Sequence, residues 1–377
     1  MLIYFIVFII TICILYFASY FKKHQANAIA LFALLLPCIL AALRASNIGT
    51  DVRVYLEPLH DLAIDSSSFA NFFQQSWLYA NNTRYVKDIE IGFLSLVYTN
   101  AKIFGSLAML QFWVEAFCIY PIYFALKMHK KIPVYVGTAT YLFMFYNTSL
   151  NMMRQMIAMA FVLWAVQYLL CNKKHIWFWL LTAIAFSFHN SAVLAVIIYV
   201  AYLFVQKSHL ICLVLHGKSL LKISYKLLLL LLAGIVFVFG IQYFAKIIAL
   251  LGFAKYANYF LGQTSIMFNQ LVQRFPVIVL LLVGGKAMWG LGNMYTFLLA
   301  MLILDILFSQ FTSVFTFGGR LGLFFQQFNI LLFPLLSKYS HKRRLITLGI
   351  FMFLLFFWWF YFVYLGHHNT VPYQSLL

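Results

Sequence analysis

Residues 91–104 read I-G-F-L-S-L-V-Y-T-N-A-K-I-F, and whether this run crosses a bilayer decides which of the chain's polar residues share a side. The run is apolar enough to enter a membrane, yet Tyr98, Thr99, Asn100 and Lys102 interrupt it. The question arises because the chain around it reads as membrane. Of 377 residues, 65% are hydrophobic, 20% aromatic and only 9% charged, whereas soluble domains carry roughly 25% charged residues. Several runs reach the roughly 20 apolar residues that span a hydrocarbon core as a helix, and no alternating strands of roughly ten residues occur. The fold class expected is therefore all-α, a polytopic integral membrane protein in one membrane domain over residues 1–377.

The net charge of +18 would suggest nucleic acid in a soluble protein. Here the basic residues fall in short clusters between apolar runs: Lys22-Lys23-His24, Lys127 to Lys131, Asn172 to His175, Lys207 to Lys226, and Lys338 to Arg344. The positive-inside rule assigns such clusters to the cytoplasm, so no nucleic-acid partner is expected. The five cysteines, Cys13, Cys38, Cys118, Cys171 and Cys212, lie in or beside apolar runs without metal-ligand spacing. The opening run Met1 to Phe21 has no basic leader and no small-residue cleavage site, and reads as a retained first span.

Parity now does the work. Between consecutive cytoplasmic clusters the chain must cross an even number of times, and residues 91–127 permit only one crossing. Met109 to Leu126 is the better candidate, so Ile91 to Phe104 is expected to be a re-entrant or interfacial helix. The count then gives about twelve crossings with both termini external. Two external loops follow, at about 44–90 and 252–274. The first holds Asp51, Glu57, Asp61, Asp65 and Asp88, five of the chain's eight acidic residues, with Glu90 at its end. Its aromatic residues argue against disorder. On the cytoplasmic side, lysines at 218, 222 and 226 with leucines between them suit an amphipathic helix lying on an anionic leaflet, within a segment at about 207–226.

The polar residues at outer helix ends are the candidates for chemistry: Arg44, Asp51, Arg53, Tyr55, Asp88, Glu90, Arg154, Gln155, His189, Arg274 and Arg320. Positive-inside bias should deplete arginine there, and charges at membrane depth are kept for function or for pairing. Outward arginines suit an anionic ligand, because a guanidinium binds phosphate in bidentate fashion without losing its charge. The ligand natural to that surface is a lipid-linked phosphate or pyrophosphate. The same arginines also fit snorkelling anchors, Asp51 and Glu90 fit ion-pair partners for them, and His189 fits a helix cap. An unperturbed pKa of about 6.5 equally suits His189 to acid/base work. No zinc-binding helix motif, nucleophile elbow or P-loop occurs, so neither a metal site, a cofactor nor a nucleotide-powered pump is expected.

Five segments in order, Arg44-x4-Gly49-Thr50-Asp51-x3-Tyr55, Glu90-x-Gly92-Phe93, Met153-Arg154-Gln155-x2-Ala158, Phe188-His189-x-Ser191-Ala192 and Gly319-Arg320, resemble the EpsG family of bacterial exopolysaccharide polymerases, relatives of the Wzy-type O-antigen and capsule polymerases. The resemblance runs from about Tyr4 to Leu336, and the part after Leu336 contributes nothing to it. It implies a metal-independent glycosyltransferase of the cytoplasmic membrane, facing the periplasm or exterior, that joins repeat units carried on undecaprenyl pyrophosphate. Its partners would be that lipid-linked oligosaccharide, membrane lipid and, as a candidate, a chain-length regulator. In this scheme Arg154, Gln155, Arg320 and Arg44 bind the substrate, Asp51 and Tyr55 position the acceptor sugar, and His189 or Glu90 is the base. A glycan ligase using the same carrier, a lipid-linked glycan flippase and an acyltransferase are the alternatives. For a flippase, Glu115, Lys286 and Asp305 are the charges inside spans, and structural pairing among them is expected.

Overall fold

A computed structural model describes residues 1–129, 132–206, 210–215, 218–250, 267–313 and 318–375. Lys130 and Lys131 of the second basic cluster and most of the loop expected at 252–274 lie outside the described residues. The chain divides into two compact units, Met1–Val193 with Met352–Leu377, and Leu194–Phe351. Both are helical. Six described helical stretches are long and apolar enough to cross a membrane, Lys23–Ala42, Leu107–Met128, Met153–Leu170, Phe268–Leu291, Asn293–Thr312 and Arg343–Tyr364. Six shorter apolar helices, Ile91–Phe104 among them, have 10–17 residues.

In the first unit, α1 (Leu2–Ala18) leads to α2 (Lys23–Ala33) and α3 (Leu35–Ala42). A turn of π-helix, Val52–Leu56, runs directly into α4 (Glu57–Asp65), followed by α5 (Phe69–Phe73) and the hairpin of β1 (Ser76–Tyr79) and β2 (Asn82–Tyr85). The 44–90 segment is thus folded. Next come α6 (Ile91–Phe104), α7 (Leu107–Met128), α8 (Val134–Met144), α9 (Tyr146–Ser149), α10 (Met153–Leu170) and α11 (His175–Phe188). α10 packs between α7 and α11 and is buried on nearly every side, as expected of a helix that is apolar all round.

Two ends of this unit can be told apart. At one, Lys23, Tyr123, Lys127, Pro133 and Ala18 surround a common cavity. At the other, Tyr4 of α1 donates to Thr370 O at 2.7 Å, Arg44 after α3 meets Met153 at the start of α10, and Arg154 meets Glu90. Each of the segments α1, α2–α3, α7, α8–α9, α10 and α11 runs between these ends. α6 does not. It starts at the Arg154 end, where the chain passes within contact of Ser187 at Gly92. Gln111 of α7, with its amide oriented to satisfy both its groups, donates to Ala41 O at 2.8 Å and Arg44 O at 3.3 Å, so α7 also begins at that end. α6 instead packs along α4, and Lys102 Nζ donates to Ile64 O at 2.9 Å and Ser66 O at 2.6 Å. Two of the residues that break the apolar run of α6 serve this packing: Lys102 through these bonds, and Tyr98 by packing on Phe69 and Phe72.

The second unit corrects two expectations. Leu210–Leu215 and Lys218–Ser224 form an antiparallel hairpin, with Leu210 opposite Ser224 and Leu215 opposite Lys218, rather than an amphipathic helix. The run that precedes the lysines includes Ile211 and Val214, which favour extended chain, and it supplies backbone partners that the lysine spacing alone does not reveal. Arg274 is not a loop residue. It lies in the helix Phe268–Gly284, which gives way at Gly284-Gly285 to a tighter turn, Gly285–Leu291.

Candidate functional site

Gly49 starts the construction at the Arg154 end. Its φ is +82°, and a Cβ there would lie 2.5 Å from Leu150 O, so only glycine permits this approach. The next two residues are pinned to one side chain: Thr50 Oγ1 donates to Asn151 Oδ1 at 3.0 Å, and the Asp51 N–H to the same oxygen at 3.1 Å. Asn151 stands two residues before the first residue of α10, so the Gly-Thr-Asp turn is fastened to the start of that helix. One turn later Tyr55 lies under the Arg154 guanidinium, 5.1 Å from its ring centre. Arg84 of β2 shares the same ring at 4.6 Å. Trp77 of β1 meets Tyr55 edge-on at 6.3 Å and is anchored by its indole N–H to Val54 O at 3.0 Å. Each cation–π contact contributes on the order of 0.5–2 kcal/mol.

Glu90, at the threshold of α6, joins the second pair of segments. Its Oε2 accepts from Arg154 Nη1 at 2.6 Å, and its Oε1 accepts from the Asn190 N–H at 3.1 Å. Gly92 makes that reach possible, because a Cβ there would lie 2.3 Å from Ser187 Oγ and 2.7 Å from Ser187 O. The Arg154 side chain is 21% exposed and that of Glu90 10%, so the pair is sheltered yet open to a ligand. His189 ends α11 in extended conformation, and its ring turns to Ser191: Nδ1 accepts from the Ser191 N–H at 3.1 Å and lies 2.6 Å from Ser191 Oγ. With Nδ1 acting as acceptor, the neutral ring carries its proton on Nε2 and presents a donor there.

Arg44 is 1% exposed, beneath this surface rather than on it. Its Nη2 donates to Met153 Sδ at 3.6 Å, and its Nε has no hydrogen-bond partner. Burial lowers its pKa, opposed by attraction from Tyr146, Tyr4, Glu115 and Tyr373. Gln155, only 4% exposed, is inside the bundle, within reach of Met159 Sδ. Asp51 is half-buried and fixed through its backbone. Arg320 is exposed on the helix Gly318–Gln326 of the second unit. There Arg274 and Asp305 form a buried ion pair at 2.7 Å, and Gln270 also holds the arginine. The span charges do not pair as expected: Asp305 takes Arg274, while Glu115 accepts from Tyr141 Oη at 2.6 Å and Ser149 Oγ at 2.7 Å. Lys286 lies over the Trp289 ring.

The C-terminal segment, which carries none of the five motifs, closes the turn from behind. The Gly49 N–H donates to Asn369 O at 3.3 Å, the Ala45 N–H to Gln374 O at 2.9 Å, and Asn147 Nδ2 to Thr370 Oγ1 at 2.9 Å. Asn151 Nδ2 meets His368 Nδ1 at 3.1 Å, so the amide that pins Thr50 and Asp51 is itself held by the tail. Arg84, Trp77, Asn147, Asn151 and His368 were not singled out from sequence. Only the Arg84 and Trp77 signal, a cation and an aromatic in a long polar segment, was visible in principle.

Among the described residues no group of three or more His, Cys, Asp or Glu side chains is arranged to hold a metal ion. No curated protein and no solved structure matches the chain. A family model does, over residues 27–375, well beyond Leu336 and through the tail that fastens Gly49. With the Gly-Thr-Asp turn, the Glu90–Arg154 pair and the His189 turn gathered at one end of a helical membrane unit, the chain belongs to the EpsG family.

Proposed function

We propose that the chain elongates a polysaccharide at the outer face of the cytoplasmic membrane, joining oligosaccharide repeat units carried on undecaprenyl pyrophosphate. Membership of the EpsG family supports a polymerase-like glycosyltransferase activity. The basic clusters support about twelve crossings, with the Arg154 end outside. The observation that carries the reading is the cation pair on an aromatic surface: Arg154 and Arg84 share the Tyr55 ring, and Glu90 ties Arg154 to the turn after α11. A guanidinium pair suits pyrophosphate, and the Tyr55 and Trp77 rings suit the faces of sugars.

In this mechanism a hydroxyl oxygen of the acceptor repeat unit attacks the anomeric carbon of the growing chain. The new glycosidic C–O bond forms as the bond from that carbon to pyrophosphate breaks, and its electron pair leaves with undecaprenyl pyrophosphate. The arginines stabilise the charge that develops on the leaving group. The hydroxyl proton goes to Glu90, whose carboxylate keeps lone pairs beyond its bonds to Arg154 and Asn190. His189, with Nδ1 engaged by Ser191, acts as a donor to substrate oxygen through Nε2. The proposed site is built from the first unit alone.

Purified protein in proteoliposomes, supplied only with the lipid-linked repeat unit, tests this. A ladder of lengthened product is expected. Glu90→Gln should slow its formation by roughly 10²–10⁴-fold, and Arg154→Ala by roughly 10²–10³-fold. No ladder until a separate acceptor is added would make the chain a ligase, and unchanged chain length with Arg154→Ala would remove the pyrophosphate role.

A further inference from the structure

At the opposite end of the first unit from Arg154, two cavities of about 410 and 790 Å³ share Lys23 and Lys127 in their walls, and the larger is also lined by Lys173. The lysines come from three separate places: the first residue of α2, the last turn of α7 and the turn after α10. Bringing like charges together needs compensation, and the chain has none to offer there. None of its eight acidic residues lines either cavity, and no described carboxylate forms an ion pair with these lysines. The first turn of α2 carries no acidic residue and no side-chain cap, which adds the positive end of a helix to the same place.

The wall of the larger cavity is otherwise aromatic apart from Met128, and that of the smaller one is mostly aliphatic, with Phe21, Tyr123 and Tyr135 among it. Lys127 lies 5.9 Å from the Tyr123 ring centre and Lys173 5.4 Å from that of Tyr168, which stacks on the exposed Trp177. Phe124, exposed on α7, packs against Trp164 and also lines the larger cavity. A cationic floor beside an outward apolar face is the arrangement that holds a phosphate-bearing headgroup while its acyl chains lie along the helices.

We infer that Lys23, Lys127 and Lys173 form a binding site for the phosphate headgroup of an anionic phospholipid, at the end of the unit opposite the proposed glycosyl-transfer site. By the positive-inside rule this is the inner leaflet. A soluble phosphate ester would meet the same lysines but would leave the apolar wall uncovered.

The test uses the full chain in phosphatidylcholine nanodiscs titrated with cardiolipin, read by thermal unfolding midpoint and by native mass spectrometry of retained lipid. Cardiolipin should raise the midpoint and remain bound, and Lys23→Gln/Lys127→Gln/Lys173→Gln should weaken retention by about tenfold or more. Lys173→Glu, on an exposed turn, is the variant for a triple change that fails to fold, and it should also lose retention. Lys286→Gln, at a lysine that lines neither cavity, should not. Equal retention by wild type and the lysine variants would overturn the site, and so would displacement of cardiolipin by equimolar inorganic pyrophosphate, which would assign the lysines to a soluble anion.

Discussion

Tyr55 shows how one side chain carries a site. Its ring accepts two guanidiniums, and Arg154 keeps its position through a second, directional bond to Glu90. Both interactions need the planar fork and delocalised charge of arginine. Tyr55→Phe, which keeps the ring, should retain most polymer formation, and Tyr55→Ala should lose it by tenfold or more. Arg154→Lys should behave like Arg154→Ala in the same proteoliposome assay, since an ammonium cannot both stack and pair. If Lys substituted fully, charge alone would account for the position. The buried Asn147 offers a stability counterpart. Its Oδ1 accepts from Trp358 Nε1 at 2.8 Å and its Nδ2 donates to Thr370 Oγ1. Thr370→Val leaves that N–H unpaired and should cost about 1–3 kcal/mol, seen as a lowered unfolding midpoint in detergent.

Among the elements, α6 matters most. Gly92 sets its approach to α11, and a Cβ would meet a backbone carbonyl, which cannot swing away. Gly92→Ala should therefore push α6 off Ser187, part Glu90 from Arg154 and Asn190, and reduce elongation far more than it reduces folded, inserted protein. Activity at wild-type level would mean that the Glu90 bridge is dispensable. The motif Glu90-x-Gly92 was legible as residues, but its meaning was not: the glycine is there for a neighbour that is 95 positions away in sequence. The tail teaches the same lesson from the other side. Residues 366–375 have no motif and little hydrophobic pattern, yet they fasten Gly49 and Asn151.

At the scale of the molecule, the first unit has a lysine end and an arginine end, and six helical segments connect them. Labelling should reveal this. In a chain whose native cysteines are replaced, single cysteines at Ile103 and Asn190 should both react with an impermeant maleimide added outside intact cells, and one at Lys174 only after permeabilisation. Ile103 and Asn190 reacting from opposite sides would mean that α6 crosses. The positions of Arg44 and Gln155 show where reading by sequence stopped, because helical spacing near a membrane surface does not say which side of a helix faces a neighbour. Arg44 follows an apolar run as a surface anchor would, but the tail and α10 cover it.

Composition, charge clustering and the order of five short motifs were enough to determine the membrane class, the all-α fold and the family, because those properties depend on transfer of apolar residues from water and on residue identities alone. The same reasoning reached the short, interrupted character of residues 91–104. Only the tertiary structure decided that this run packs on α4, that Arg154 is the arginine Glu90 pairs with, that Asp305 pairs with Arg274, and that the lysine-rich segment near 218 is a hairpin. Each of these depends on which backbone and side-chain partners come within hydrogen-bonding or ion-pairing distance, and in a low-dielectric interior the unpaired alternative is the expensive one.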